Sequence, residues 1–357
     1  MDMNAHAELT ATSAQVLEQI QRMQQRLADA GYGDLGMWNE LAAKHVKLIR
    51  EHGFENFKRT INFEYHQWSV RSFADVKSLK LLASLVGRGR RPRAALGSRI
   101  DLRDALETHW TKGEITEQRL QAYRFYVGLL WDYACAEDEL GLLGRVQEPA
   151  YGRPLPIHFD GKLITQDLAL AALELNDIGR QCDLRGIRRV AEIGAGYGRV
   201  AWLFLETQPQ LAYHVFDIPP ALAVSQNYLA QCLGSERIVP CSELESVQDI
   251  AASVSADTAG KAYFHLPLGM DDVPDRSFDL IVNISSFDEM PEREVEKYFA
   301  WIDKKLKGAL YLKGYRYNPA SGWSYKKFPY RRDWKRVWSR VDPTNPLFIE
   351  QVYRVNS

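Results

Sequence analysis

The sequence predicts an α/β protein in which a mostly parallel β-sheet, covered by helices on both faces, follows a mainly helical N-terminal region. After residue 150, short β-rich runs alternate with helical runs, and this alternation is typical of parallel sheets covered by helices. The last two β-runs, residues 334–341 and 347–355, are joined by a connection too short to hold a crossover helix. We therefore expect them to form an antiparallel hairpin at the end of the sheet.

The pattern divides the chain into two predicted domains, residues 1–147 and 148–357. In the first, apolar residues recur at helical spacing, for example at Leu120, Tyr123 and Val127. We expect this helical region to act as a lid, to bind substrate or to mediate dimerisation. An amphipathic stretch from Leu9 to Leu27 needs a partner surface, either the body of this chain or a second copy, and it favours a homodimer.

Composition excludes several classes of protein. The 357 residues carry 45 Lys and Arg against 46 Asp and Glu, so no overall field attracts nucleic acid or an anionic membrane. The first thirty residues contain no apolar segment of a secretory signal, and no run approaches the roughly 20 apolar residues that span a bilayer. The four cysteines lack metal-binding spacing. We expect reduced thiols, a cytoplasmic location, and neither a nucleic-acid nor a membrane partner.

A basic run, Gly87-Arg-Gly-Arg-Arg-Pro-Arg93, departs from this even charge distribution. A run of this kind without interleaved aromatic residues favours a solvated loop. The alternative is a lid over an anionic substrate.

Three glycines at alternate positions mark the most informative stretch, Val190-Ala-Glu-Ile-Gly-Ala-Gly-Tyr-Gly-Arg-Val200. They lie between a β-run and a helical run, where glycine permits positive φ angles and close approach of a ligand. A dinucleotide-binding loop would read G-x-G-x-x-G/A, but counting from Gly194 its third position falls on Arg199. Glu192 suits instead an ammonium or sulfonium group. The next β-run ends at Asp217, whose carboxylate could accept two ribose hydroxyls.

This pattern resembles motif I and the acidic loop of the class I S-adenosylmethionine-dependent methyltransferases. The resemblance implies a Rossmann-like class I methyltransferase sheet, with S-adenosylmethionine as cofactor and S-adenosylhomocysteine as product. In that family, the glutamate side binds the methionine portion of the cofactor and the glycine loop passes under this portion. The acidic residue binds the ribose of the cofactor. The cofactor-binding residues implied are Glu192, Gly194, Ala195, Gly196, Tyr197, Asp217, Ile218 and Ser285.

A narrower resemblance, from about Trp38 to Tyr315, is to the sugar O-methyltransferase family of bacterial carbohydrate and natural-product clusters. It rests on the motifs Glu148-Pro-x-x-Gly-Arg-Pro154, Gln166-Asp-Leu168, Asp217-Ile-Pro219 and Ser286-Phe-x-Glu-Met290, together with the glycine loop. Lys313 departs from the pattern, since many relatives have asparagine there. The resemblance implies methylation of a hydroxyl on a sugar or glycosylated small molecule, with Arg153, Gln166 and Phe287 as substrate or lid residues.

Methyl transfer to a hydroxyl calls for a general base near the carboxyl ends of the strands. Glu289 and Asp288 follow the fourth β-run, although acidic residues before a helix also stabilise its N-terminus without any catalytic role. His158 is a second candidate base, in a Pro/Gly-rich segment that could fold over the cleft together with Arg153. Tyr315, Tyr317 and the aromatic residues after them could stack on a sugar ring or pack in the core.

We expect no metal, because no set of Asp and Asn ligands follows the fourth and fifth β-runs. The sequence leaves open two other functions. The chain could methylate a non-sugar natural product, a protein or RNA, or it could bind S-adenosylmethionine without catalysis, because a fold does not name a substrate.

Overall fold

The computed structural model describes residues 12–32, 37–61, 73, 75–86, 88, 91–106, 115–255, 259–319 and 321–355. The chain forms two compact units, Met1–Asn176 and Asp177–Ser357, and the division falls inside one helix. Among the described residues, no helix is long and apolar enough to cross a membrane. All four cysteines are free thiols.

The N-terminal unit is mainly helical, as predicted. Its helices are α1 (Ser13–Asp29), α2 (Met37–His52), α3 (Val76–Leu85), α4 (Arg93–Gly97), α5 (Leu102–Leu106), α6 (Glu117–Glu137), α7 (Leu142–Arg145) and α8 (Gln166–Gln181), whose last turn belongs to the C-terminal unit. Helix α1 begins with a capping box, in which Thr12 and Gln15 satisfy each other's backbone N–H groups.

The apolar stripe of α1 is covered by the chain itself. Val16, Ile20, Met23 and Leu27 repeat at helical spacing and are all buried, while Leu9 lies outside the described residues. Of the two partners predicted for the stripe, the body of this chain is therefore the one observed. The homodimer stays a prediction, and this stripe no longer supports it.

A small antiparallel sheet, absent from the sequence prediction, joins the ends of the N-terminal unit. It consists of β1 (Arg99–Ile100), β2 (Ile157–Phe159) and β3 (Lys162–Leu163), in the order β1-β2-β3. Glu148 is buried beside it in an ion pair with Lys58 at 2.6 Å and accepts a hydrogen bond from Thr165 at 2.8 Å. These contacts join Glu148 to the turn that contains Lys58, and the first compact unit, Met1–Asn176, includes residues on both sides of position 147. The predicted domain boundary stays a prediction.

The basic run can be followed only in part, because Gly87, Gly89 and Arg90 lie outside the described residues. Arg88 and Arg91 are exposed, and Arg93 begins helix α4 with an exposed ion pair to Asp160 at 3.4 Å. These positions agree with the solvated interpretation of the run.

The C-terminal unit is built on a mixed sheet of the predicted kind. Its strands are β4 (Arg189–Ile193), β5 (Ala212–Phe216), β6 (Ile238–Val239), β7 (Ala262–His265), β8 (Phe278–Ile284), β9 (Leu306–Tyr315), β10 (Lys335–Val341) and β11 (Phe348–Arg354). Its helices are α9 (Arg199–Thr207), α10 (Ala221–Leu233), α11 (Val247–Ser255) and α12 (Glu292–Lys305). Strands β4, β5, β7 and most of β8 are buried, as expected for a sheet covered on both faces.

Strand order fixes where this sheet can hold a ligand. The order is β10-β11-β9-β8-β4-β5-β7-β6, with parallel pairs from β6 to β9 and antiparallel pairs in the C-terminal hairpin. Strands β5, β6 and β7 all lie on one side of β4, and the next strand in the chain, β8, lies on the other side of β4. Open α/β sheets bind ligands outside the carboxyl ends of the strands at such a reversal, here between β4 and β8.

A buried charge network stabilises the hairpin side of the sheet. We call it the hairpin network, and its members are Asp177, Lys313, Arg340, Asp342 and Glu350. Lys313 pairs with Asp342 at 2.9 Å and with Glu350 at 3.2 Å, and Arg340 pairs with Glu350 at 2.7 Å and with Asp177. The unexpected lysine of the sequence is thus a buried cation in the register position opposite Glu350.

Candidate active site

The loop after β4 lies against the residues that follow β8. Gly194 has φ +74°, and a Cβ there would lie 2.4 Å from the Oγ of Ser286. That serine donates to the carbonyl of Ile193 at 3.1 Å, and the Asn283 amide donates to the same carbonyl at 2.9 Å. Glycine is required at position 194 because both the backbone angle and the close contact exclude a side chain.

Gly196 and Asp217 connect the glycine loop to the end of β5. The backbone N–H of Gly196 donates to Asp217 Oδ2 at 3.0 Å, and that of Ile218 donates to Oδ1 at 2.8 Å. A Cβ on Gly196, which has φ +60°, would meet no atom within 4 Å. The loop therefore leaves open space beside a half-buried carboxylate that still has unused lone pairs.

Asp217 carries a proton more readily than an ordinary carboxyl group. Desolvation raises its pKa to about 7, although the hydrogen bonds from backbone N–H groups act in the opposite direction. Among the described residues, its hydrogen-bond donors are backbone N–H groups, so the carboxylate is held in place without a neutralising cation among them. Such a group favours a ligand that donates hydrogen bonds.

Glu192 lies inside the sheet layer, one residue before the strand ends. It is buried and accepts a hydrogen bond from the Tyr213 hydroxyl at 2.9 Å. The tyrosine lies on the neighbouring strand β5 and holds the glutamate beneath the start of the glycine loop. The contact between Glu192 and the cofactor stays a prediction.

Strand β8 ends in an unusual backbone conformation. Ser285 has φ +58°, which costs energy for a residue other than glycine, and its N–H donates to the carbonyl of Lys313 at 2.7 Å. Local backbone strain of this kind is concentrated at functional sites. The turn directs the chain across the carboxyl ends of β4 and β9.

The residues Phe287–Glu289 form a single 3₁₀ turn, which we call the acidic turn. Asp288 is 1% exposed, and its Oδ2 accepts the backbone N–H of Tyr315 at 2.8 Å. Glu289 is only half-buried. Helix α12 begins later, with Pro291 as its N-cap, so neither acid occupies the first turn of that helix.

Both acids of this turn titrate at unusually high pH. Desolvation raises the pKa of Asp288 to about 6, against the hydrogen bond from Tyr315. Desolvation, and then the charge of Asp288, raise the pKa of Glu289 to about 7. A half-buried carboxyl group that titrates near neutral pH has the property expected of a general base.

The connection between β9 and β10 supports the acidic turn. The Asn318 amide donates to the carbonyl of Asp288 at 3.2 Å, and the Trp323 indole donates to the carbonyl of Met290 at 2.8 Å. Tyr315, half-buried at the end of β9, has a pKa raised by desolvation and by Glu289 and Asp288. The charges of the two acids therefore reach the tyrosine hydroxyl.

Some residues of the predicted site are explained by packing. Phe287 is buried among Tyr298, Phe299 and Phe328, so a contact with substrate would require the core to open. Tyr197 is buried edge-to-face against Tyr228 in α10, with ring centroids 5.1 Å apart. Neither side chain needs a ligand to account for its position. Ala195 and Ile218 are half-buried beside Asp217, as a lining role requires.

The aromatic residues near the end of β9 fall into two groups. Trp323 and Tyr330 pack against Phe328 in the core, with ring centroids 5.4 and 6.1 Å away. Tyr317, in contrast, is 60% exposed, and Tyr315 is half-buried. The exposed ring of Tyr317 therefore has an aromatic face available to a sugar, whereas the ring of Tyr315 packs against Phe348 with centroids 4.3 Å apart.

Three predicted residues belong to the N-terminal unit. His158 is an exposed residue of strand β2 and not part of a loop, because it pairs in register with Arg99 and Leu163. Arg153 has φ +54° and forms an ion pair with Asp104 at 2.6 Å. Gln166 is buried at the start of α8 and accepts a long hydrogen bond from Tyr123. Their predicted roles remain predictions.

Sequence reasoning missed Asn283, Ser286 and Asn318 as residues that fix the site. A signal was present for the first two, since polar residues at the end of a strand buried on both faces must find hydrogen-bond partners. Asn318 gave no such signal, because its partner, the Asp288 carbonyl, is thirty residues earlier in the chain. Within the described residues, no group of three or more His, Cys, Asp or Glu side chains could hold a metal ion.

No family model and no curated protein matches the sequence. Solved structures with partial similarity to this chain include a mitomycin 7-O-methyltransferase (12% identity, 52% of this chain, TM-score 0.36), an N,N-8-amino-8-demethyl-D-riboflavin dimethyltransferase from Streptomyces davawensis (12%, 53%, 0.35) and a pyocyanin biosynthetic protein (14%, 64%, 0.36). The matches cover 57%, 58% and 64% of those three chains. Similarity at this level assigns neither an activity nor a substrate, so the function must be inferred from this chain's own residues.

Proposed function

We propose that the C-terminal unit binds S-adenosylmethionine and transfers its methyl group to a hydroxyl of a sugar or glycosylated small molecule. The observation that carries the proposal is the pairing of Gly196 with Asp217 at the carboxyl edge of the sheet. The glycine faces open space, and the carboxylate beside it has lone pairs left for two ribose hydroxyls. A dinucleotide is disfavoured because Arg199 stands where the third glycine of a dinucleotide-binding loop would be.

When bound, S-adenosylmethionine supplies an electrophilic methyl group on a sulfonium. In the proposed reaction, the acceptor oxygen forms a bond to the methyl carbon as the bond from carbon to sulfur breaks. The acceptor proton passes to the Glu289 carboxylate, and the products are the methyl ether and S-adenosylhomocysteine. With a pKa of about 7, Glu289 is partly ionised at neutral pH and basic enough to assist the transfer.

The sugar acceptor rests on the chemistry around the acidic turn. Glu289 can accept a hydrogen bond from a hydroxyl, and the exposed ring of Tyr317 near the end of β9 offers a stacking face. Among the described residues, no Lys, Arg or His forms an ion pair with Asp217 or Glu289, and this setting also suits a ligand rich in hydroxyl donors. His158 is the alternative base, on the predicted lid.

A matched pair of glycine variants tests cofactor binding. Gly196→Ala would fill the open space beside Asp217, whereas Gly141→Ala adds the same methyl group at φ +64°, also with no atom within 4 Å. Both variants carry a similar backbone cost. Calorimetry should show that Gly196→Ala loses S-adenosylmethionine binding by about tenfold or more and that Gly141→Ala keeps it. Equal affinities would exclude the glycine loop as the binding site.

A labelled-methyl assay then tests the acceptor. The wild type, given S-adenosylmethionine with a labelled methyl group, should label a nucleotide sugar or glycoside in a panel that also contains RNA, protein and non-sugar aromatic alcohols. Labelling only in one of the other classes would replace the sugar acceptor. Tight cofactor binding without labelling of any acceptor would support the binding protein without catalysis.

A further inference from the structure

We propose that Asp288 is a positioning residue for Glu289: its carboxylate, anchored by the Tyr315 N–H beside Gly314, holds the acidic turn against the end of β9 and places a fixed negative charge next to the glutamate. This inference rests on the proposed function, in which Glu289 receives the acceptor proton. It assigns Asp288 a role other than the direct proton transfer considered from the sequence.

The side chain of Asp288 is fixed too tightly to reach a substrate. Its Oδ2 accepts the Tyr315 N–H at 2.8 Å, and the carboxylate packs against Gly314, where a Cβ would lie only 2.4 Å from Oδ2. Its Oδ1 is buried without a hydrogen-bond partner among the described residues. A carboxylate in this setting acts on its surroundings through its charge.

The backbone around Glu289 is held at three points. The N–H of Glu289 donates to the carbonyl of Ser286 at 3.2 Å. The side chains of Asn318 and Trp323 donate hydrogen bonds to the carbonyls of the two adjacent residues, Asp288 and Met290. The Glu289 carboxyl group is half-buried and forms no hydrogen bond with the described residues. The acidic turn thus presents one free carboxyl group on a fixed backbone.

Within the described part of the chain, no cation is paired with either of the two acids. The titratable groups that interact with the two acids are Tyr315, at the end of β9, and Tyr330, in the connection to β10. No described Lys, Arg or His forms an ion pair with either carboxylate, unlike the carboxylates of the hairpin network. The negative charge of Asp288 therefore acts on Glu289 without compensation, and it contributes to the raised pKa of Glu289.

Asp288→Asn isolates the charge. The asparagine carbonyl can still accept the Tyr315 N–H, but the neighbour of Glu289 becomes neutral. Without that charge the pKa of Glu289 falls, so the acid limb of the kcat/KM profile should move to lower pH by about one unit. The rate on the plateau should fall because the base is weaker.

Asn318→Ala and Glu292→Gln serve as comparisons. Asn318→Ala removes support for the turn and leaves both charges, so it should lower kcat without moving the acid limb. Glu292→Gln removes an exposed acid in the first turn of α12 and should change neither quantity. A shift of equal size in Glu292→Gln would mean that any nearby charge has this effect, and would overturn a specific role for Asp288.

A titration followed by NMR provides a readout that needs no acceptor. With glutamate and aspartate side-chain carbons labelled, and signals assigned by Glu289→Gln and Asp288→Asn, the two wild-type carboxyls should show mutually dependent two-step curves. Independent single-step curves would overturn the inference even if Asp288→Asn does not fold. If the wild type methylates nothing, the proposed function fails and the titration still judges Asp288. If the wild type is active and neither the acid limb nor the Glu289 curve moves in Asp288→Asn, only the inference fails.

Discussion

The C-terminal unit holds two groups of buried acids that differ in their partners. In the hairpin network, Asp342 and Glu350 each contact Lys313, and Glu350 also contacts Arg340. At the carboxyl edge of the sheet, Asp217 and Asp288 accept hydrogen bonds from backbone N–H groups. The first group is neutralised within the fold. In the second group, half-buried Asp217 keeps capacity for hydrogen-bond donors from outside, whereas Asp288 is buried.

A raised pKa does not separate the two groups. Desolvation, and then Glu350, raise the pKa of Asp177 in the hairpin network to about 7, against the influence of Arg340 and Lys313. Desolvation raises the pKa of Asp217 to the same value. What differs is that Asp177 is fully buried between Arg180 and Arg340, whereas Asp217 and Glu289 are partly open to ligands. The hydrogen-bond and ion-pair partners of a carboxyl group, together with its exposure to ligands, indicate better than its pKa whether it serves a function.

The largest expected effect is in the hairpin network. Lys313→Met leaves Asp342 and Glu350 buried beside one fewer cation, and breaking a buried pair costs about 3 to 5 kcal/mol in the free energy of unfolding. Chemical denaturation measures this loss. On the same strand, Lys307 pairs with Asp279 at a more exposed site, so Lys307→Met should cost about 1 kcal/mol or less. An equal loss of unfolding free energy in the two variants would show that the buried ion pairs of the hairpin network stabilise the fold no more than an exposed pair does.

The next effect is in the acidic turn. Glu289→Gln keeps the size of the side chain but removes its basicity, so kcat should fall about 10²-fold or more while affinity for S-adenosylmethionine stays unchanged. Steady-state kinetics with calorimetry separate the two quantities. If turnover instead survives in Glu289→Gln and collapses in a folded His158→Ala, the histidine is the base.

The comparison also shows what the sequence could predict. Strands β4, β5 and β8 follow directly from runs of β-branched and aromatic residues, and the glycine loop follows from spacing along a single segment. The hairpin network could not be predicted, because Lys313 and its carboxylate partners meet only once the register of β9 with β11 is set. In the sequence, Lys313 is recognisable only as a departure from a family pattern.

The same reasoning explains the misplaced features of the N-terminal unit. The strands β1, β2 and β3 are two or three residues long, too short for alternation to be visible in the sequence. The buried pair of Lys58 and Glu148 joins residues ninety positions apart. Local patterns cannot show such contacts, and the predicted domain boundary, which rests on a change of pattern near residue 150, stays a prediction.

A smaller effect is expected when Asp217 is replaced. Asp217→Ala removes the proposed hydrogen bonds from ribose hydroxyls to a charged acceptor, each worth about 1.5 to 3 kcal/mol. Affinity for S-adenosylmethionine should fall about ten- to a hundredfold, as measured by calorimetry. An unchanged affinity in a folded variant would remove Asp217 from the site and leave it as an anchor for the glycine loop.

The smallest effect is the pH dependence of cofactor binding. Because ribose hydroxyls prefer the ionised carboxylate, affinity for S-adenosylmethionine should rise with pH through about 7 and be about tenfold weaker at pH 6 than at pH 8. Stability of the free protein should respond to Asp217 with the opposite sign. A carboxyl whose folded pKa exceeds its unfolded value of about 4 favours the fold when protonated, and this contribution is lost as pH rises through about 7. Comparing calorimetric affinities and unfolding free energies of the wild type with Asp217→Asn isolates both effects. If the pH dependence of affinity persists in Asp217→Asn, another acid of the edge, such as Glu192, controls binding.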